Sequence, residues 1–385
     1  MLTKDQISKF KKLSGNTPGA RHIKLNDIRY FKNILVTQSP YRLAGRNSKS
    51  VCSLLEDKFK KFLNRKYFLL VSSGTAALHM AMEALNLKIN DEIIIPSYGW
   101  TSDILSIINS KATPVLVPIN RSLGIDINYL SKALTKKTKA IISIHMRGKV
   151  CEIDKIKKFA KTNKLLLIED CSQCFGGTLN SKKVGSFGDI STFSFQNNKL
   201  ITAGEGGAVA TNNKKLFDLM NKFHDLGMGR SYQEKDPLKY LTKGIGLNYH
   251  FNELGAALLL SQFKKKNLIL KNLKINYEKI KRLFYEVKEN NSDLDFLIPD
   301  EKKGVSNNNA FFVIQGLKFS HIKLTSKIFE KNKIYFCPMK NQDGHNYLSW
   351  ENFMKRKNIK YKSINLNITK DILKHSLFIE VNSKI

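Results

Sequence analysis

Between residues 67 and 211 the chain repeats one pattern: a short apolar run, a turn, then a segment with apolar residues at helical spacing. KYFLLVSS leads into GTAALHMAMEALNL and DEIIIPSYGW into TSDILSIINS; TPVLVPI and AIISIHM follow, and EIDKIKKFAKTN precedes KLLLIED. STFSFQ and GAVATN close the series. Unbroken apolar runs are strands buried on both faces, and their alternation with helices predicts a parallel sheet covered on both sides. The expected fold class is α/β: a three-layer large domain around a mostly parallel sheet, over residues 51–250, with a polar, irregular arm over 1–50 before it. From about 247 to 290 the pattern turns into one long connecting helix, FNELGAALLLSQFKKKNLILKNLKINYEKIKRLF. Short strands (NAFFVIQGL, IYFCPM) and helices behind it predict a smaller α+β C-terminal domain, so that 251–385 forms the second unit.

Composition removes several function classes. The 42% hydrophobic share fits an ordered globular chain. No apolar run approaches the roughly 20 residues of a membrane span, and MLTKDQISKFKK lacks the apolar core of a signal peptide. A cytoplasmic protein with no membrane contact is expected. The net charge of +33 raises the question of nucleic acid, but the lysines are scattered in runs such as KFKKF, TKKTK and KIKKFAKTNK, where helices show a wet face. Without a recognition helix, finger or aromatic-basic stacking motif, no nucleic-acid partner is expected; a field that draws in an anionic small substrate stays open. The five cysteines read as reduced thiols, and Cys171-x-x-Cys174, with no second pair at zinc spacing, reads as packing rather than as a metal site.

Open α/β sheets bind ligands at the carboxyl ends of their strands. Four such ends carry chemistry here. After KYFLLVSS, Gly74-Thr75-Ala76 starts a helix whose free N–H groups suit a phosphate; the same sequence is equally an ordinary helix cap. Trp100 follows DEIIIPSYG, as a ring to stack on a flat ligand or as a core aromatic. Asp170 follows KLLLIE, where a carboxylate calls for a cationic partner, with Gln173 three residues on. Lys199 follows STFSFQNN and precedes the glycines of AGEGG, with Ser194 five residues before it. A lysine beside such a site can be held neutral, and a neutral amine condenses with an aldehyde. A phosphate, a flat ring, a cationic ring nitrogen and an aldehyde together describe pyridoxal 5'-phosphate, for which a lysine and an aspartate are the usual pair.

SSGTAAL, DEIIIPSYGW, LLIEDCSQCFGG, GSFGDISTFSFQNNKLITAGEGGAVATN and GLNYHFNELGAAL stand in an order and spacing that resemble the DegT/StrS-type sugar aminotransferases, a branch of the fold-type I pyridoxal phosphate enzymes. The resemblance runs over about residues 25–350. It implies that Lys199 is the Schiff-base lysine, Asp170 the partner of the ring nitrogen, Trp100 the stacking residue and Gln173 a ring-hydroxyl contact. It implies that Thr75, Ala76 and Ser194 hold the phosphate, and that Asn248 reaches the phosphate of a partner subunit in a homodimer with shared active sites. The implied reaction moves an amino group from glutamate or glutamine, by way of pyridoxamine phosphate, to a keto or aldehyde carbon of an anionic or sugar-like acceptor.

The SFQNNK form, HMRG at 145–148 and the tail segment NQDGHNYLSW resemble most the branch that aminates keto-cyclitols, amino-octulosonate precursors and related carbonyls, with the branches acting on nucleotide-linked sugars similar enough to stay open, which makes Arg147 and His345 the substrate-side candidates. His345 is equally an ordinary surface histidine. Two positions depart from the family's pattern: His250 stands where an arginine is common, and His375 where a second one is usual. The rival readings are a sugar dehydratase of the same family, which typically carries histidine in place of the lysine, and a catalytically idle regulatory homologue.

Overall fold

The computed structural model describes residues 3–37, 39–42, 50–228, 244–291, 293–299, 303–341 and 344–384. Parts of the arm (43–49) and of the NQDGHNYLSW segment (342–343) lie outside the described residues.

The large sheet is built from β1 (Tyr67–Val71), β2 (Glu92–Pro96), β3 (Thr113–Val117), β4 (Thr138–Ile144), β5 (Leu166–Asp170), β6 (Ile190–Ser194), β7 (Gly207–Thr211) and an edge strand β8 (Lys362–Ser363). Their order across the sheet is β1-β7-β6-β5-β4-β2-β3-β8. From β6 to β8 every neighbour is parallel, and β7 alone runs against both its neighbours, β1 and β6. Alternate residues of one strand enter opposite cores: Phe68 and Leu70 pack on one side, Leu69 and Val71 on the other. Both faces are therefore apolar, which is why these strands carry no polar alternation.

One core is rich in aromatic rings. Phe59 stacks on Phe68 at 4.6 Å and meets Phe263 edge-on at 4.7 Å. Phe263 belongs to the long helix Glu253–Glu289, about 55 Å of it at the α-helical rise. Its first residue ties two elements together: the Glu253 carboxylate accepts from the Ser50 hydroxyl (2.6 Å) and the Val51 N–H (2.6 Å), capping the helix Val51–Leu63. Behind it, Phe311–Ile314, Leu377–Glu380 and Phe336–Pro338 make a small antiparallel sheet with Leu377–Glu380 in the middle.

The arm is more regular than its sequence suggests. Lys4–Leu13 is a helix, opened by a reciprocal cap in which the Thr3 hydroxyl accepts the Gln6 N–H and the Gln6 side chain accepts the Thr3 N–H. Phe10 is fully buried between Phe284 (5.0 Å) and Phe329 (5.6 Å), and Ile7 and Leu13 pack on the same core. Among the described residues no helix is long and apolar enough to cross a membrane.

Candidate active site

The carboxyl ends of β1, β2, β5 and β6 open into one cavity of about 570 Å³. Gly74, Thr75, Trp100, Arg147, Asp170, Gln173, Ser194, Lys199 and His345 all line it.

Asp170 ends β5, almost fully buried. Its Oδ1 accepts the Ser172 hydroxyl (2.6 Å), the Ser172 N–H (3.1 Å) and the Thr192 hydroxyl (3.2 Å). Behind it the preceding residue, Glu169, faces the other core. That carboxylate accepts N–H groups from Gly185 (2.6 Å), Phe187 (2.8 Å) and Gly188 (2.7 Å), and pairs with His145 Nε2 at 3.1 Å. The Cys151 N–H donates to His145 Nδ1, so the ring's proton sits on Nε2 and points at Glu169. The Cys171 sulfur lies close enough to His145 and Glu169 to suggest a metal site. However, the carboxylate and imidazole are engaged with each other, and burial pushes the thiol well above its ordinary pKa, away from the thiolate a metal needs. Cys174 is buried as well, its thiol donating to the Gly148 carbonyl at 3.2 Å, in keeping with packing.

Lys199 sits on the loop after β6, its N–H donating to the Gln196 carbonyl at 2.9 Å. The arm fastens this loop from outside: Gly19 N–H donates to the Lys199 carbonyl at 3.1 Å, and a Cβ on Gly19 would stand 2.9 Å from that oxygen. Burial lowers the Lys199 pKa from its ordinary 10.5; Asp170 opposes, Arg147 reinforces, and Asp103 and Glu205 oppose. The net direction is toward the neutral amine.

At the end of β1 the helix Gly74–Ala84 begins with Ser73 as its cap. The Ala76 N–H is held by the Ser73 hydroxyl at 3.0 Å, and Ala76 is buried off the cavity, whereas Gly74 and Thr75 face it. A Cβ at Gly74 would come within 2.9 Å of the Ser194 Cβ, so the helix start can lie against β6 only with glycine there. Trp100 is 48% exposed at the mouth, its ring 4.5 Å from that of His345. The small-domain segment bearing His345 is fastened to this loop: Gly99 N–H donates to the His345 carbonyl (3.0 Å) and the Thr101 hydroxyl to the Gly344 carbonyl (2.7 Å). Gln173 accepts the Arg147 N–H at 3.0 Å.

Asn248 stands exposed outside this chain's cavity, its side chain accepting the His250 N–H at 3.2 Å. His250 pairs with Asp225 at 2.9 Å, and His375 bonds the Leu317 carbonyl at 2.7 Å at the end of the helix Asn367–Lys374. The two departures thus hold backbone and carboxylate groups away from the cavity.

The sequence reading missed Asp103. It is fully buried, its Oδ2 accepts the Trp100 N–H at 3.0 Å, and its Oδ1 has no partner. Burial, then the charge of Asp170, pushes its carboxyl well above the usual range, toward a neutral acid. Its only signal in the sequence was an acid three residues into a helix, which reads as routine capping. Asp103→Asn keeps an acceptor for the Trp100 N–H and should leave coenzyme affinity within a factor of about two, whereas Asp103→Ala should weaken it about fivefold, as one lost hydrogen bond of roughly 1 kcal/mol implies. A fluorescence titration with pyridoxal phosphate checks both; equal losses would show that the bond to Trp100 is irrelevant.

The sequence profile of the family described as "DegT/DnrJ/EryC1/StrS aminotransferase family" matches residues 35–372. The chain belongs to that family. Among curated relatives, GDP-perosamine synthase of Vibrio cholerae is 36% identical over 217 residues, 56% of this chain and 58% of that one. L-glutamine:2-deoxy-scyllo-inosose aminotransferase of Streptoalloteichus tenebrarius is 36% identical over 201 residues, 50% of this chain and 47% of that one. The chain thus spans about half the length of these curated relatives in its match to them. Among solved structures, an Escherichia coli GDP-4-keto-6-deoxy-D-mannose-3-dehydratase with bound hydrated PLP superposes with a TM-score of 0.82 at 22% identity, over 97% of this chain and 96% of that one, which establishes the shared fold.

The residues of this cavity fit pyridoxal phosphate. The glycine at position 74 leaves room against Ser194, the Lys199 amine is pushed toward neutrality, and a carboxylate braced on one oxygen stands at a strand end in the same cavity.

Proposed function

We propose that this chain is a pyridoxal phosphate-dependent aminotransferase of amino-sugar biosynthesis. It would move an amino group from glutamate or glutamine to a keto or aldehyde carbon of a sugar, cyclitol or octulosonate-type acceptor. One observation carries this reading: Lys199, with its pKa lowered by burial, shares a single cavity with Asp170 and Trp100. The relatives' names support the acceptor class, and Lys199 itself speaks against a dehydratase, for which histidine is expected at that position.

In this reading Asp170 holds the ring nitrogen, Trp100 covers the ring and Gln173 meets its hydroxyl. Gly74, Thr75 and Ser194 hold the phosphate, with Asn248 supplied by a partner subunit, while Ala76, expected there from the sequence, is turned to the Ser73 hydroxyl instead. When bound, the coenzyme supplies an electron sink for the pair left behind as a substrate carbon loses its proton. The chain's own residues do the rest. Asp170, braced by Ser172 and Thr192, would stabilise positive charge at the ring nitrogen. The Lys199 Nζ, its pKa lowered by burial, would take the proton from the donor's α-carbon and return it to the carbon on the far side of the intervening nitrogen. Trp100 and His345 stand together at the mouth, where a bound substrate would meet them. A homodimer accounts for the exposed Ile245 (92%), Val36 (75%) and Leu25 (86%), and for the position of Asn248 outside its own cavity.

Adding L-glutamate or L-glutamine to the yellow, coenzyme-loaded protein should bleach its visible absorption and release one equivalent of the matching 2-oxo acid. A keto-sugar or keto-cyclitol should then restore the colour. Absorption that no amino acid changes would sink the proposal.

A further inference from the structure

The hydrogen bond that reaches Lys199 from outside its own loop comes from Gly19 in the arm, whose N–H donates to the Lys199 carbonyl at 3.1 Å. Gly19 has ordinary helical angles, φ −69° and ψ −47°, which any residue adopts. Glycine is therefore not needed there for its backbone. What it supplies is an absent side chain: a Cβ would stand 2.8 Å from the Leu200 carbonyl oxygen, 2.9 Å from that of Lys199 and 3.0 Å from the Ile201 Cα. All three are backbone atoms, and Leu200 and Ile201 are buried, so none of them can swing aside. The arm lies on the lysine loop backbone to backbone.

The stretch leading to Gly19 is fixed at its other end as well. Phe10 anchors it in the aromatic core against Phe284 and Phe329. The Asn382 N–H donates to the Leu13 carbonyl (2.7 Å), the Gly15 N–H to the Glu380 carbonyl (2.8 Å) and the Ser383 hydroxyl to the Pro18 carbonyl (2.8 Å). Residues 13–19 thus run antiparallel to the end of the strand Leu377–Glu380 and its continuation, with Ser14 opposite Val381, and finish on the Lys199 loop. Gly15, Pro18 and Glu380 line the cavity on the way. The family's profile covers residues 35–372, so this part of the arm and the strand it follows both lie outside the matched region.

Resting on the aminotransferase reading for the task of the amine, we propose that Gly19 is a positioning residue for Lys199, through which the arm keeps the reacting amine buried and aimed into the cavity. The arm ties the small antiparallel sheet to the loop that carries Lys199. Burial is the largest influence on the Lys199 pKa and lowers it, so a contact that keeps water from the loop also favours the neutral amine. The charged groups that act on Lys199 are Asp170, Arg147, Asp103 and Glu205, and a change at Gly19 leaves all four in the chain. Loosening the arm at either end admits water to the loop, raises the pKa of the amine and spoils its aim.

The test reads Lys199 in the coenzyme-free, full-length protein by competitive acetylation. Trace acetic anhydride is added at a series of pH values, and the label on the Lys199 peptide is compared with that on surface lysines. In the wild type Lys199 should titrate below the surface lysines. In Gly19→Ala the methyl lifts the arm from the loop while the arm's own angles stay favourable. Its midpoint should rise by about half a pH unit or more, about a threefold loss of neutral amine at a given pH. Phe10→Leu, which thins the anchor at the far end of the same arm, should move the midpoint the same way by less. Met220→Ala, fully buried in the other core, should leave it unchanged. With coenzyme bound, Gly19→Ala should bleach with glutamate roughly 10-fold more slowly while coenzyme affinity stays within a few-fold, as a misaimed amine beside an intact phosphate site implies. An unmoved midpoint in Gly19→Ala, or an equal shift in Met220→Ala, would overturn the assignment. Should Gly19→Ala fail to fold, Phe10→Leu decides by itself: a raised midpoint supports the assignment and an unmoved one overturns it. If no amino acid bleaches the wild type, the aminotransferase reading fails, and the acetylation midpoints still decide whether Gly19 positions the amine.

Discussion

Lys199→Ala should leave a folded protein that binds pyridoxal phosphate without its visible absorption band and turns over at least about 10³-fold more slowly than the wild type. Two functions reside in one nitrogen: attachment to the coenzyme's aldehyde, and proton transfer worth about 10²–10⁴ by itself. Folding should survive, because the loop is held through its backbone. The Lys199 N–H donates to Gln196, and the Lys199 carbonyl accepts from Gly19. The side chain faces the cavity. Absorbance spectra and single-turnover rates with glutamate check this directly, and a variant with near wild-type rates would remove Lys199 from the chemistry. Methylamine added to the variant should restore part of the rate if the missing group is an amine and not a shape.

Glu169→Gln should destabilise the fold by about 3–5 kcal/mol, the cost of breaking a fully buried, multiply bonded carboxylate. An amide oxygen can accept from only part of the set formed by Gly185, Phe187, Gly188, Ser191 and His145, and its NH₂ faces donors. The pH dependence follows from the same bonds. Burial alone would raise the Glu169 pKa; His145 and the backbone N–H donors outweigh it and bring it from 4.5 down to about 2. A depressed folded-state pKa means that the contribution is complete above about pH 4.5 and is lost as the pH falls toward 2. Urea unfolding of wild type and variant at pH 7 and at pH 3 reads both effects: the gap between the two proteins should narrow in acid. A constant gap would mean that the carboxylate's charge is not what holds the loop 185–191. Because Asp170 follows Glu169 on β5, this variant should also weaken coenzyme binding in the protein that remains folded.

What the sequence made legible follows the physics of buried strands. EIIIP, LLIED and TPVLV have no polar alternation because both their faces lie in a core, so the layers could be anticipated before any contact was known. The groups at strand ends were legible for a related reason. A charged residue directly after such a run, as at Asp170, has no wet face to turn to. The arm was misread because its helix depends on one aromatic, Phe10, whose partners Phe284 and Phe329 are more than 270 positions away in the chain. Ile7, Phe10 and Leu13 do stand at helical spacing, but so short a stripe among lysines does not say what it packs on. Asp103 was invisible for the opposite reason, since its local signal already had a routine explanation and only the burial of its unpartnered Oδ1 makes it unusual. Arg147 was visible as a residue, but its left-handed backbone and its aromatic faces come from Gln173, Asn308, Phe311 and Phe378, three of which belong to the small domain or its approach.

The most direct test of the account is chemical fixation of the coenzyme. The protein loaded with pyridoxal phosphate is treated with borohydride, which reduces a carbon–nitrogen double bond to a stable single bond, and its peptides are weighed. The account predicts one reduced coenzyme per chain, carried by the peptide containing Lys199. A label spread over the surface lysines, or none at all after loading, would contradict it.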